Sequence, residues 1–131
     1  MRVVLDTNVF ISGILGGSVA AVIDGWKEGR FEVVVNDEIV REYAVVLGRP
    51  RFGLTADIVE TVLGFVLRRA EFVTVTEPVR AIEADPDDDK FLAVATAARV
   101  DLIVSGDHHL LELGSWEGIP VVTPRDFLNR L

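Results

Sequence analysis

The sequence predicts an α/β protein: a three-layer α/β/α sandwich around a mostly parallel, five-stranded sheet. Three observations predict it. Short apolar runs without polar alternation, such as Val3–Leu5 and Phe31–Val35, read as strands covered on both faces. Segments with apolar residues at 3.6-residue spacing lie between them. The two kinds alternate along the chain with no linker, repeat or low-complexity stretch, which is the pattern of one layered domain over residues 1–131.

Each element has a local reason. Val3–Leu5 is the first strand, and Asn8–Leu15 follows with helical spacing until Gly16-Gly17 breaks it. Val19, Val22, Ile23 and Trp26 mark one face of a second helix, Ser18–Glu28, which Gly29 ends. Phe31–Val35 is the second strand. Asn36 and Asp37 can cap the helix Glu38–Leu47, and Gly48 with Pro50 closes it. Thr55 caps Ala56–Arg69, and Phe72–Val75 is the third strand. Beyond Pro78 and Pro86, the segment Asp87–Arg99 reads as a helix with a small, Ala-rich face. Leu102–Ser105 is the fourth strand, His109–Leu113 a helical turn and Pro120–Val122 the fifth strand. Pro124 stands at the first position of a closing helix.

Composition narrows the function. A chain of 131 residues, half of them hydrophobic, can bury a real core. No apolar run approaches the roughly 20 residues that span a bilayer, and no signal peptide is recognisable. There is no cysteine, so disulfides, thiolate metal sites and a cysteine nucleophile are excluded. A cytoplasmic protein without a membrane partner fits these features. A net charge of −8 argues against a coat protein that binds nucleic acid through many cationic contacts, but not against a nuclease whose acids hold metal. Lys27 and Lys90 are the two lysines among the 13 basic residues.

The acids fall where chemistry is expected. In open parallel sheets, functional groups gather beyond the carboxyl ends of the strands. Asp6 follows the first strand, and Asp107 follows the fourth in VSGD. Asp85, Asp87, Asp88 and Asp89 crowd the start of one helix, and Glu42 lies a turn beyond Glu38. If the first and fourth strands are neighbours, Asp6 and Asp107 lie side by side. Acids converging in one cleft repel, and burying them unpaired is costly. A hard divalent cation resolves the conflict, Mg²⁺ or Mn²⁺ preferring such oxygen ligands. Two histidines and no cysteine disfavour zinc.

Each acid also has a purely structural reading. Asp6 fits equally as the cap of the following helix. Most of the 85–89 run fits as cap and helix-dipole charge, since one or two of its side chains can face a single cleft. Glu38 and Glu42 fit as solvated residues, the preferred reading for Glu38, and Asp107 after a strand fits as a common turn residue. The joint placement is what favours function.

The stretches DTNVFISGIL, EIVREYAVVLGRPRF, DPDDDKFLAVA, SGDHHLL and VVTPRDFL, in this order, resemble PIN-domain proteins. They resemble in particular the VapC-like branch described as toxins of prokaryotic type II toxin–antitoxin systems. The resemblance runs from Val3 to about Phe127. It implies a parallel five-stranded sheet between helices and a Mg²⁺- or Mn²⁺-dependent endoribonuclease. It also implies a small antitoxin partner and a homodimer. The four family acids fall on Asp6, Glu42, Asp88 and Asp107, as catalytic groups and metal ligands. Asp89, followed by Lys-Phe-Leu-Ala, also fits a shorter form of the third motif. Asp85 matches a supporting acid, and Asn8 and Ser105 match polar positions that orient the carboxylates. Asp126 stands where an acid is common, on a helix that can hold it too far off to bind metal directly.

Other residues invite roles. Arg49, Arg51, Arg68 and Arg69 could guide RNA, though solvated surface or salt bridges are the preferred reading. His108 and His109 are not assigned a role as acids. Trp26 fits a buried helix face, while Trp116, in GSWEG, fits a contact surface. Val59, Val62, Phe65 and Leu67 give the Ala56–Arg69 helix an apolar side for core, dimer or antitoxin.

Three rivals stand beside the nuclease. An aspartyl phosphotransferase needs a second Asp where Asn8 stands, and no G-x-G-x-x-G follows a strand for a dinucleotide enzyme. A binding module on the same fold, with weak or no catalysis, is the alternative outside enzymes.

Overall fold

A computed structural model of the chain describes residues 1–77 and 89–131. Pro78, Asp85, Pro86, Asp87 and Asp88, with the predicted start of the helix at Asp87, lie outside the described residues.

The strands are β1 (Arg2–Leu5), β2 (Glu32–Val35), β3 (Glu71–Phe72), β4 (Leu102–Val104), β5 (Ser115–Trp116) and β6 (Ile119–Val122). The helices are α1 (Thr7–Leu15), α2 (Ala20–Lys27), α3 (Asp37–Leu47), α4 (Ala56–Arg69), α5 (Asp89–Ala98), α6 (His108–Leu113) and α7 (Pro124–Asn129), with single 3₁₀ turns at Gly17–Val19 and Pro50–Phe52. The sheet has the order β3-β2-β1-β4-β6-β5 and is parallel except for the β5–β6 pair. Among the described residues it has six strands rather than the five expected. The addition is β5, where the Gly-rich turn brings Ser115 and Trp116 back antiparallel to Pro120 and Ile119.

Apolar continuity explains the centre of this sheet. Val3, Val4 and Leu5, Val33–Val35, and Ile103 and Val104 are all fully buried, because helices cover both faces of these strands. The helix starts follow their caps. Asn36 Oδ1 accepts from the Ile39 amide at 2.9 Å, Thr55 Oγ1 from Ile58 at 3.3 Å, and Thr123 Oγ1 from Asp126 at 3.1 Å. Trp26 lies in the core with its ring edge-on to Phe65, 4.7 Å between centroids, as its helical spacing predicts. Among the described residues, no single helix is long and apolar enough to cross a membrane.

The strand order sets the place of the site. From β1 the chain moves outward to β2 and β3, then returns past β1 to β4 on its other side. The sheet therefore has a switch point between β1 and β4, and in open parallel sheets ligand sites form beyond the carboxyl ends of the strands at such a point. The opposite rim is closed by protein contacts. Arg2 is hydrogen-bonded and ion-paired to Glu71 and donates to the Ala98 carbonyl at 2.6 Å, while its amide donates to Asp101 at 2.8 Å.

Candidate active site at the switch point

Val3 and Leu5 pair with Leu102 and Val104 in parallel register, so the residues that follow each strand emerge together. Asp6 leaves β1 and Ser105-Gly106-Asp107 leaves β4. The Asp6 amide donates to the Val104 carbonyl at 3.1 Å, continuing the ladder one residue past the strand.

Asp6 is buried, with 3 % of its surface exposed. It is also the N-cap of α1: its Oδ1 accepts from the Val9 amide at 2.8 Å. The Ser105 hydroxyl donates to Oδ2, and the Gly106 amide donates to the same carboxylate. Ser105 in turn accepts from the Asp107 amide at 2.9 Å, so one buried hydroxyl joins the two acids. Burial pushes the Asp6 carboxyl above its ordinary range, and Asp107 pushes it further. The hydrogen bonds from Ser105, Val9 and Gly106 act in the opposite direction. Asp107 is half-buried and caps α6, its Oδ1 accepting from the His109 amide at 2.7 Å.

Glu42 reaches this corner from α3. Its Oε2 accepts from the hydroxyl of Thr7, the residue after Asp6. Its Oε1 lies 2.8 Å from Lys90 Nζ, in an ion pair whose side chains are 29 % and 9 % exposed. The next residue, Tyr43, is fully buried, stacks on Phe10 with 4.1 Å between ring centroids, and donates to the Leu5 carbonyl at 2.5 Å. Leu5 and Thr7, which flank Asp6, are thus laced to Tyr43 and Glu42. Burial, then the charges of Asp6 and Glu42, push the Tyr43 phenol well above its usual range.

The structure therefore brings Asp6, Glu42, Ser105 and Asp107 to one corner. Asp88 and Asp85 lie outside the described residues. Asp89 is buried in the first turn of α5, so the neighbouring position in that run is turned into the protein. Asn8 is exposed on the first turn of α1; the polar contact of that turn with Glu42 comes from Thr7 instead. Asp126 sits on α7 after β6. Among the described residues, no three His, Asp or Glu side chains already stand as a ready metal cage.

Sequence reasoning did not single out Thr7, Tyr43 or Lys90. Tyr43 carried a signal, since Ile39, Tyr43, Val46 and Leu47 share the buried face of α3 and a buried phenol needs a partner. Lys90 carried one too, as a lone lysine in an acidic run of an Arg-rich chain. Trp116 is a correction. It is half-buried, and its indole Nε1 donates to Thr96 Oγ1 at 3.0 Å, so it staples β5 to α5. Arg69 is structural: it donates to the Trp26 carbonyl at 3.0 Å and lies over Phe65. Arg49, Arg51 and Arg68 are exposed.

Residues 2–109 match the PIN domain family. The fold is similar to VapBC2 from Rickettsia felis, solved bound to a DNA fragment from their promoter, with a TM-score of 0.61 and 12 % identity over 94 % of this chain and 98 % of that one. It is also similar to FitAB bound to the IR36 DNA fragment, with a TM-score of 0.59 and 20 % identity over 93 % of this chain and 94 % of that one. Comparison with curated proteins gives no significant sequence match.

Proposed function

The chain belongs to the PIN-domain family, and on that premise we propose that it is a divalent-metal-dependent endoribonuclease. PIN domains are generally nucleases, which supports a nuclease hydrolase. The observation that carries the finer reading is the buried Asp6 carboxylate, set against Asp107 at the switch point of the sheet.

The donor chemistry of the residues suits Mg²⁺ or Mn²⁺, while among the described residues no three acids are grouped closely enough to hold an ion by themselves. Asp6, Glu42 and Asp107 offer oxygen donors alone. Burial and a neighbouring acid make the ionised form of Asp6 costly, and a bound cation would offset that cost. The resemblance adds a third family acid, Asp88, with Asp89 at the start of α5 as the other register. When bound, the metal supplies a water of lowered pKa and positive charge beside the phosphoryl oxygens.

The chain's own groups prepare this. The Val9 and Gly106 amides and the Ser105 hydroxyl hold Asp6 in one orientation. Thr7, the residue after Asp6, holds Glu42 through its hydroxyl. Exposed Asn8 and half-buried Asp107 form the open side, where a single-stranded RNA phosphodiester would enter.

The motif resemblance and the likeness in fold to VapBC2 and FitAB support a toxin paired with a small antitoxin; the homodimer is proposed from the motif resemblance alone and the cytoplasmic location from composition alone. The test is cleavage of a mixed single-stranded RNA pool with Mg²⁺ or Mn²⁺ and with chelator. Wild type should cut only with metal. Asp6→Asn should lose cleavage by about 100-fold or more while keeping its fold, as expected for a lost metal ligand. An Asp6→Asn variant as fast as wild type would refute the site, and a wild type that cuts nothing would favour the binding module.

A further inference from the structure

Glu42 already has a cation. Lys90 Nζ lies 2.8 Å from its Oε1, with the lysine side chain 9 % exposed. The other oxygen of Glu42 is taken by the Thr7 hydroxyl. A structural acid would end there, with both oxygens satisfied and its charge paired. This acid sits one hydrogen bond from the residue after Asp6, in a corner whose other carboxylates repel each other. The ammonium comes from the first turn of α5, directly after buried Asp89.

We propose that Lys90 is a built-in counter-ion that occupies the cation position at Glu42 in the metal-free protein and gives way to the divalent metal. The proposal rests on the metal-nuclease reading and adds to it a residue that sets metal affinity. The physical reason is competition. An ammonium is a compact point charge on a flexible stem, able to hold a carboxylate in place and then to swing off it. A divalent ion entering beside Glu42 meets a like charge at close range and must either tolerate it or displace it. Lysine therefore keeps the acids assembled without metal and lowers the affinity for metal.

Two readouts test this without using activity. The first is calorimetric titration with MnCl₂ of wild type, Lys90→Met and Lys90→Arg. Removing the charge should tighten Mn²⁺ binding by about threefold or more, the scale of one nearby unit charge after screening. The charge-keeping Lys90→Arg should stay within about twofold of wild type on the same scale. In chelator Lys90→Met should melt below wild type, and excess Mn²⁺ should raise its melting temperature by more than it raises that of wild type.

The second readout needs no variant. Lys27 and Lys90 are the two lysines, so side-chain-labelled lysine gives two NMR signals. Titration with MgCl₂ should shift the Lys90 signal to saturation and leave that of Lys27 in place.

If wild type binds metal but Lys90→Met binds with equal or lower affinity, and the Lys90 signal stays still, the counter-ion proposal is overturned while the metal site stands. If neither wild type nor Lys90→Met takes up metal, both readings fall.

Discussion

Asp6 carries two loads at once. It caps α1 as any aspartate can, and it holds a buried carboxylate at the switch point of the sheet. Ser105 makes the second load tolerable, donating to Asp6 while accepting from the Asp107 amide. Ser105→Ala should destabilise the protein by about 1–3 kcal/mol, the cost of leaving buried polar atoms unpaired, as measured by denaturant unfolding. A loss under about 0.5 kcal/mol would show that the bridge contributes little. The sign of the pH effect follows from the direction of the Asp6 shift. Its carboxyl is raised in the folded protein, so the folded state binds the proton more tightly than the unfolded chain does. In metal-free protein, the contribution of Asp6 is therefore greatest below the ordinary carboxylate range and declines as pH rises through the raised value. Unfolding of wild type and Asp6→Asn across this window should show the decline in wild type and its absence in the variant. The position of Asp6 was legible in the sequence, because a buried apolar run ending in an acid is unusual. The lacing of Leu5 and Thr7 to Tyr43 and Glu42 was not, because it depends on how α3 packs against β1.

At the scale of elements, α1 packs closely against α2. Gly13 permits this: a Cβ there would collide with Ile23 Cγ1 on α2. Gly13→Ala should gain about 1 kcal/mol of helix propensity and lose more to overpacking, typically about 1–3 kcal/mol, for a net loss in thermal or chemical unfolding. A variant more stable than wild type would mean that the helices separate freely. The strands of the sheet centre were legible because buried parallel strands read as unbroken apolar runs. β5 was not: two residues carry no periodicity, and the strand exists through its pairing with β6 and the bond from Trp116 to Thr96. The start of α3 at Asn36 and of α4 at Thr55 were legible because capping is local chemistry.

At the scale of the molecule, the two rims of the sheet differ in how their charges are settled. At the amino end of the strands, Arg2 meets Glu71 and Asp101 lies on the Arg2 amide, so that rim is closed by the protein itself. At the carboxyl end, Asp6 and Asp107 bear on each other, and Lys90 holds Glu42. That asymmetry is the physical case for a metal at one end only, and it follows from a strand order that places β1 beside β4. The alternation of strands and helices predicted the fold class, while the adjacency of β1 and β4 entered only as a condition. The most direct test is calorimetric titration of Mn²⁺ into wild type and Asp6→Asn. Saturable binding in wild type, weakened by about tenfold or more in the variant, is the expected result for loss of a charged ligand. Equal binding in both proteins would contradict the account, because the buried carboxylate at the end of β1 would then have no part in holding the ion.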